Sequence, residues 1–354
     1  GGTCDTVPPT NPTAAETHDV AQDTWQNAVT TPEFILSGAT DNQGVAGYNI
    51  YFGPDPAGTG AYYQTGTTYS PGVVADGTHY LRVRTRDVNN NYAPWETLFM
   101  FNVDATPPTN PTVTTEASGL LNDRWQNVLD SPVFTWSGAN DNFSGVAGYH
   151  VYWGDDPTGT AGGWQVGDTF AAGAQSDGVK YLRLQTQDVA GNLSGWSDAF
   201  TFRLDRQPPD NPVDVSEITG ISNSVWQNTL SEPFFTWSGA TDALSGVSGY
   251  HVYFGVDPQG TASDWQVENT FGTVRLPDGE HFLRLQTGDV AGNFSEWMTA
   301  FVFRFDSLPP GSVFLDPPDG GTKLIGGVST LWGTSSDGES DVVQVEISLN
   351  NGAS

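Results

Sequence analysis

Cysteine is nearly absent from this sequence. Cys4 is the only cysteine among 354 residues, so no disulfide can form within the chain and each domain must be held together by its core. The simplest interpretation of Cys4 is an incidental thiol, with a lipidation site or an intermolecular bridge as alternatives. No apolar run is long enough to cross a membrane and no signal peptide is visible. Gly1 in place of Met fits a processed or excerpted chain.

Positive charge is the second scarcity. Only 12 residues are Lys or Arg against 41 Asp or Glu, which gives a formal net charge of -29. Such a field repels nucleic acid and anionic membranes and attracts cations. The acids do not form a block, as in a solvating tail, but recur at fixed places. We therefore expect neither nucleic-acid binding nor membrane insertion.

Helical patterning is also missing. The chain has 2 Met, 42 Gly and 23 Pro, with 12% aromatic residues. This composition favours many strands joined by turns. No amphipathic helical stretch of useful length is present, so the sequence predicts an all-β fold.

One alternating stretch occurs three times. It spans residues 181–192 (YLRLQTQDVAGN) and recurs at residues 80–91 and 282–293. Leu182 and Leu184 fall on one face of an extended chain and Arg183 on the other, as in a half-buried strand. The polar turn Asp-Val-Ala-Gly-Asn then ends the strand. Three copies of one small β domain are the consequence.

The domain boundaries follow from a second repeated feature. Asp104, Asp205 and Asp306 are 101 residues apart, and each is followed after two residues by Pro-Pro. Pro-Pro ends a strand and stiffens the joint. We predict repeats at residues 1–104, 105–205 and 206–306, with a partial fourth at 307–354.

Each repeat carries signals for about seven short strands in about 100 residues, which predict a two-sheet antiparallel sandwich. The strand ending at Trp136, the runs 144–154 and 181–192, and the Asp-x-x-Pro-Pro joint resemble the Ig-like and fibronectin type III-like tandem repeats of large bacterial extracellular surface proteins. The resemblance spans residues 5–306. It implies tandem antiparallel β-sandwiches, three complete and one partial, in an extracellular stalk, adhesive or accessory module; fold alone does not give function.

The last 48 residues supply only three candidate strands, near residues 313–315, 330–332 and 343–347. Half a sandwich exposes an apolar face and open edges. Either the sequence is cut from a longer one, or a neighbouring chain donates the missing strands and the protein assembles into a fibre.

Acidic residues recur where three loops of such a sandwich should meet at one pole. Three aspartates and one asparagine of each repeat form these sets: Asp5, Asp41, Asp87 and Asn91; Asp104, Asp141, Asp188 and Asn192; Asp205, Asp242, Asp289 and Asn293. Ca²⁺ binds about 6–8 oxygens, so we hypothesise a Ca²⁺ ion at each joint. The alternative is a plain turn in which Asp188 bonds its own backbone.

Aromatic residues suggest a second kind of site. Tyr63, Trp164 and Trp265 hold equivalent positions on a predicted edge strand. Exposed rings there would stack on sugars, whereas Trp136 and Trp237 are expected in the core.

No catalytic site can be recognised in the sequence, because none of the five His recurs in every repeat and no nucleophile or zinc motif is present. The sequence therefore favours a non-catalytic, rod-like stalk or fibre-forming, adhesive array at the cell surface, with other copies of itself or other surface proteins as partners. The alternative is a set of carbohydrate-binding accessory modules of a secreted polysaccharide-degrading enzyme.

Overall fold

The computed structural model describes residues 5–316 and 332–346. The chain divides into two compact units, Gly1–Arg124 with Leu129–Arg203 and Trp125–Val128 with Leu204–Ser354. Each unit is described separately below.

The first repeat contains eight strands. They are β1 (Thr13–Glu16), β2 (Trp25–Gln26), β3 (Phe34–Ser37), β4 (Val45–Gly53), β5 (Tyr62–Gln64), β6 (Thr68–Tyr69), β7 (Gly77–Asp87) and β8 (Glu96–Val103). One sheet has the order β1-β3-β6 and the other β2-β8-β7-β4-β5. Two sheets of three and four antiparallel strands, with β2 added at one edge, give the expected sandwich.

Period-two alternation explains which side chains fill this sandwich. On β7, Leu81 and Val83 are fully buried, while Arg82 between them lies on the opposite, outer face. Phe34 from the facing sheet and Phe101 from β8 join the same core. Burying each such side chain contributes about 1.5–3 kcal/mol, so the sandwich needs no disulfide.

The second repeat repeats this order. Its strands are β9 (Val113–Glu116), β10 (Trp125–Gln126), β11 (Val133–Ser137), β12 (Val146–Gly154), β13 (Gly163–Gln165), β14 (Thr169–Ala171), β15 (Gly178–Asp188) and β16 (Ser197–Leu204). The smaller sheet has the order β14-β11-β9, and the larger contains β16-β15-β12-β13. Trp136 is 2% exposed and meets Tyr149 edge to face at 5.4 Å, which confirms its predicted place in the core.

The third repeat lies in the second unit. Its strands are β17 (Asp214–Glu217), β18 (Trp226–Gln227), β19 (Phe234–Ser238), β20 (Val247–Gly255), β21 (Trp265–Gln266), β22 (Thr270–Gly272), β23 (Gly279–Asp289) and β24 (Met298–Phe305). The sheets have the orders β17-β19-β22 and β18-β24-β23-β20-β21. Phe235, Trp237 and Phe303 are its largest buried side chains.

The short strands β2 and β18 differ from the expectation of purely antiparallel sheets. Trp25 pairs in parallel with Asn102 of β8, and Trp226 with Arg304 of β24. Two residues are enough for this pairing because the strand only closes the free edge of β8 or β24. The Trp-Gln pairs of β2 and β18 therefore cover a sheet edge by a parallel ladder.

After the third repeat the structure describes two further strands, β25 (Gly311–Asp316) and β26 (Trp332–Ser336), which pair antiparallel. The predicted strand at 313–315 lies within β25. Thr330 and Leu331 lie outside the described residues, and so does Ile347. The prediction of a strand at 343–347 is wrong over its described part, because residues 343–346 have no strand partner.

The described part of the chain contains no helix with the length and apolar character needed to span a bilayer. The architecture is all-β, with antiparallel sandwiches in tandem. The residue boundaries of the repeats remain a prediction.

Candidate metal centre and aromatic surface

Each repeat gathers three aspartates from three separate segments of the chain. In each group, one carboxylate oxygen per residue lies within 4.8 Å of the others. The groups are Asp5, Asp41 and Asp87; Asp104, Asp141 and Asp188; and Asp205, Asp242 and Asp289. In the second group, Asp104 follows β8, Asp141 lies in the loop after β11, and Asp188 ends β15. The sandwich topology brings these loops together.

Backbone N–H groups hold the carboxylates of the second group in place. The Asp104 carboxylate accepts hydrogen bonds from the N–H of Thr106 and from the N–H of Ser144, each at 3.1 Å. Asp188 accepts one from the N–H of Asn192 at 2.7 Å. These donors fix the carboxylates in a defined geometry, and each oxygen keeps a lone pair for a further ligand.

Asp141 leaves one oxygen without a partner. Its Oδ2 accepts hydrogen bonds from the N–H of Phe143 and of Gly145. Its Oδ1 is buried and has no hydrogen-bond partner, and the same is true of Oδ1 of Asp41. A buried carboxylate oxygen without a donor is unfavourable, and a hard cation would satisfy it. The donor set, all oxygen, fits Ca²⁺ better than a transition metal.

Mutual repulsion in these groups is large. Two unit charges about 5 Å apart repel by about 3 kcal/mol at an effective dielectric constant of about 20. No Lys, Arg or His within the described residues forms an ion pair with Asp104, Asp141 or Asp188. The backbone donors offset part of this repulsion, and a bound cation would offset the rest.

The asparagines bridge the segments around the carboxylates. Asn192 donates hydrogen bonds from Nδ2 to Asp188 Oδ2 at 2.7 Å and to the carbonyl of Asp104 at 2.8 Å. Its own oxygen accepts a hydrogen bond from Nδ2 of Asn27, in the preceding repeat, at 3.0 Å. The amide therefore links the two repeats, and a role for its oxygen as a Ca²⁺ ligand stays a prediction.

The other asparagines follow this pattern. Asn91 donates to Asp87 Oδ2 and to the carbonyl of Asp5. In the second unit, Asn293 donates to Asp289 and accepts from Asn127 at 3.0 Å. Asn27 and Asn127, which directly follow β2 and β10, thus contact the turn asparagine one repeat later. The sequence analysis did not predict this contact, although both follow a Trp-Gln pair.

A related arrangement occurs at Asp306. The Ser340 hydroxyl donates to Asp306 Oδ2 at 2.7 Å, and Asp337 Oδ1 accepts from the N–H of Glu339 and of Ser340. Asp337 thus occupies the loop position that Asp141 has in the second repeat. The sequence analysis did not predict a role for Asp337, because the residues that flank it differ from those that flank Asp141.

The edge aromatics are half-exposed, as a sugar contact requires. Tyr63 is 37% exposed, Trp164 45% and Trp265 42%. The Tyr63 hydroxyl donates to the Ala46 carbonyl at 2.9 Å. None of these rings stacks in parallel on a described Trp or Tyr; Trp164, for instance, meets His150 at an interplanar angle of 56°.

A buried glutamate in each repeat was not predicted. Glu116 and Glu217 are 5% and 4% exposed. Glu217 accepts hydrogen bonds from the N–H and hydroxyl of Thr219 and from the N–H of Phe234. Burial raises the pKa of Glu217, but these hydrogen bonds outweigh burial and hold the pKa below its ordinary value of 4.5. Glu16 makes similar contacts, so this carboxylate fastens the loop after the first strand.

No family model matches the chain. Three curated relatives are similar over most of its length. Exoglucanase B of Cellulomonas fimi is 28% identical over 83% of this chain and 25% of its own length. Chitinase A1 of Niallia circulans is 27% identical over 74% and 35%, and exoglucanase A of Cellulomonas fimi is 27% identical over 77% and 30%.

The chain thus spans about a quarter to a third of the curated relatives it matches. Among solved structures, fibronectin(III)-like modules of Clostridium thermocellum CbhA are 10% identical and cover 54% of this chain and 93% of theirs. Their TM-score is 0.26, so no structural conclusion follows from this similarity.

Proposed function

We propose that this chain is a non-catalytic accessory segment of a secreted polysaccharide-degrading enzyme. The observation that carries the proposal is that every repeat places a half-exposed aromatic ring on an edge strand. A ring in that position suits contact with a sugar polymer.

The relatives support the same conclusion. Their names denote enzymes that act on glucans and chitin, and the matched region is a minor part of each. This favours the accessory role over the cell-surface stalk, fibre-forming or adhesive array, for which the contacts between repeats are the main support. An extracellular location follows from the proposed role.

The joints add a second element to the proposal. We infer that the three aspartate groups bind Ca²⁺, which neutralises the carboxylates and stabilises the loops that carry them. The buried, unpartnered Oδ1 atoms of Asp41 and Asp141 support this role. No step of catalysis depends on the ion.

The accessory role is tested on the intact protein that contains this sequence. Antibodies raised against this chain should recover from the culture medium a protein that releases reducing sugar from cellulose or chitin. Recovery of an intact protein that hydrolyses no polysaccharide would overturn the proposal.

A further inference from the structure

The third repeat differs from the other two in how its edge aromatic is seated. Trp265 lies on β21 beside β20, and Gly249 of β20 pairs directly with Gly288 of β23. A β-carbon at Gly249 or at Gly288 would lie 2.6 Å from the indole. The indole therefore rests on a pair of glycines from adjacent strands, where any side chain would displace it.

The second and first repeats do not have this pair. Gly148 pairs with Gln187 beneath Trp164, and Gly47 pairs with Arg86 near Tyr63. The Arg86 guanidinium lies 5.4 Å from the Tyr63 ring centroid. Among the three repeats, only the third therefore has glycine on both strands beneath the edge aromatic.

The rings around Trp265 do not stack in parallel on it. Phe294 meets it at 6.0 Å with an interplanar angle of 89°, and His251 at 5.0 Å with 73°. Trp265 remains 42% exposed and Phe294 46%. An indole that is fixed by two glycines and stays half-exposed offers a ligand a defined apolar surface.

We propose that the outer face of the larger sheet of the third repeat is a binding platform for an uncharged polysaccharide, with a pyranose ring stacked on Trp265. His251, Phe294 and Trp297 extend the platform along the sheet, because His251 lies within 6.4 Å of both of the other rings. The proposal rests on the proposed function and assigns its polysaccharide contact to one repeat.

The chemistry of the surface selects the ligand. An apolar ring face matches the C–H face of a pyranose, and Gln286, which pairs with His251 across the strands, supplies hydrogen-bonding groups beside it. The net charge of -29 repels anionic polymers such as polygalacturonate. A neutral hexopyranose polymer is therefore the expected ligand.

Affinity electrophoresis of the whole chain in gels containing hydroxyethylcellulose or glycol chitin tests the platform. We expect retardation of the wild-type chain in at least one gel, and none with polygalacturonate. Trp265→Ala should weaken the apparent affinity about tenfold, since one aromatic contact is lost. Phe234→Ala is the matched control, because it removes an exposed ring from the smaller sheet of the same repeat, and it should change the affinity less than twofold.

Gly288→Gln keeps the indole but introduces the side chain found in the second repeat, and it should weaken binding as Trp265→Ala does. A thermal melt of each variant verifies that the third repeat is folded. No retardation by either neutral polymer would overturn the platform, as would equal losses in Trp265→Ala and Phe234→Ala. Neither result affects the antibody experiment, in which the intact protein is recovered and assayed for polysaccharide hydrolysis. Failure of the platform is therefore distinguishable from failure of the accessory role.

Discussion

At the residue scale, two adjacent phenylalanines of β19 show how burial determines stability. Phe235 is fully buried among core rings, whereas Phe234 is 40% exposed. Phe235→Ala removes a core ring and leaves a cavity, so we expect a loss of about 3–5 kcal/mol in the unfolding free energy of the third repeat. Calorimetric melting measures it. Phe234→Ala is the control, with an expected loss below about 1 kcal/mol; similar losses in both variants would contradict the described register.

The buried glutamate gives the fold a pH dependence. Because the hydrogen bonds to Glu217 favour its ionised form, its folded pKa lies below the ordinary value of 4.5. The stability it contributes is therefore complete above about pH 4.5, the ordinary value, and is lost as the pH falls through the lower folded pKa.

Glu217→Gln should accordingly lower the melting temperature of the third repeat at pH 7 and have a smaller effect at pH 3. The exposed Glu232 offers a control, since Glu232→Gln removes a carboxylate that makes none of these contacts. A difference between Glu217→Gln and the wild type that is constant from pH 7 to pH 3 would contradict this account.

The sequence predicted some residues of the core and not others. Trp136 and Trp237 were expected there, and Leu36 occupies the matching place in the first repeat. Glu116 and Glu217 were missed because a glutamate next to a loop usually indicates a solvated surface. Their recurrence in every repeat was the available signal, but the backbone donors that satisfy them are visible only in the fold.

At the scale of elements, the loops that carry the aspartates decide whether a cation binds. Asp141→Asn should keep the hydrogen bonds from Phe143 and Gly145, because an amide oxygen can accept them, while it removes one negative charge from the group. We therefore expect this variant to fold but to bind one Ca²⁺ fewer than the wild-type chain in calorimetric titration.

The thermal counterpart of this test uses a chelator. Ca²⁺ at about 100 times its dissociation constant stabilises the folded state by about 2.7 kcal/mol, so EDTA should lower the melting temperature of the wild-type chain. Asp156→Asn is the control, because Asp156 accepts hydrogen bonds within its own turn and lies outside the three groups. The absence of both Ca²⁺ binding and a chelator effect would rule out the metal site.

Alternation along the chain predicted the long strands but not the short edge pairings. Leu182 and Leu184 of β15 are buried as the pattern required. The parallel pairing of Trp25 with Asn102 could not be predicted, because two residues carry no periodicity. The hydrogen bond between Asn192 and Asn27 was not predicted for a different reason, since Asn27 belongs to another repeat and is distant in sequence.

At the scale of the whole chain, the repeat period was the strongest signal. The 101-residue spacing of Asp104, Asp205 and Asp306 predicted the joints, and the exact boundaries stay a prediction. The role of the chain was less predictable, because the same sandwich serves stalks, adhesins and accessory modules. What separates these roles is the surface. The position of Trp265 on its glycine pair depends on cross-strand register that the sequence did not specify.

The central claim is that these repeats assist a polysaccharide-degrading enzyme without taking part in its chemistry. The most direct measurement compares the intact enzyme with a version lacking residues 5–306, on insoluble polysaccharide and on a soluble oligosaccharide of the same linkage. We predict slower hydrolysis of the insoluble polymer and an unchanged kcat/KM on the soluble substrate. Loss of activity on the soluble oligosaccharide, or equal rates on the insoluble polymer, would contradict the claim.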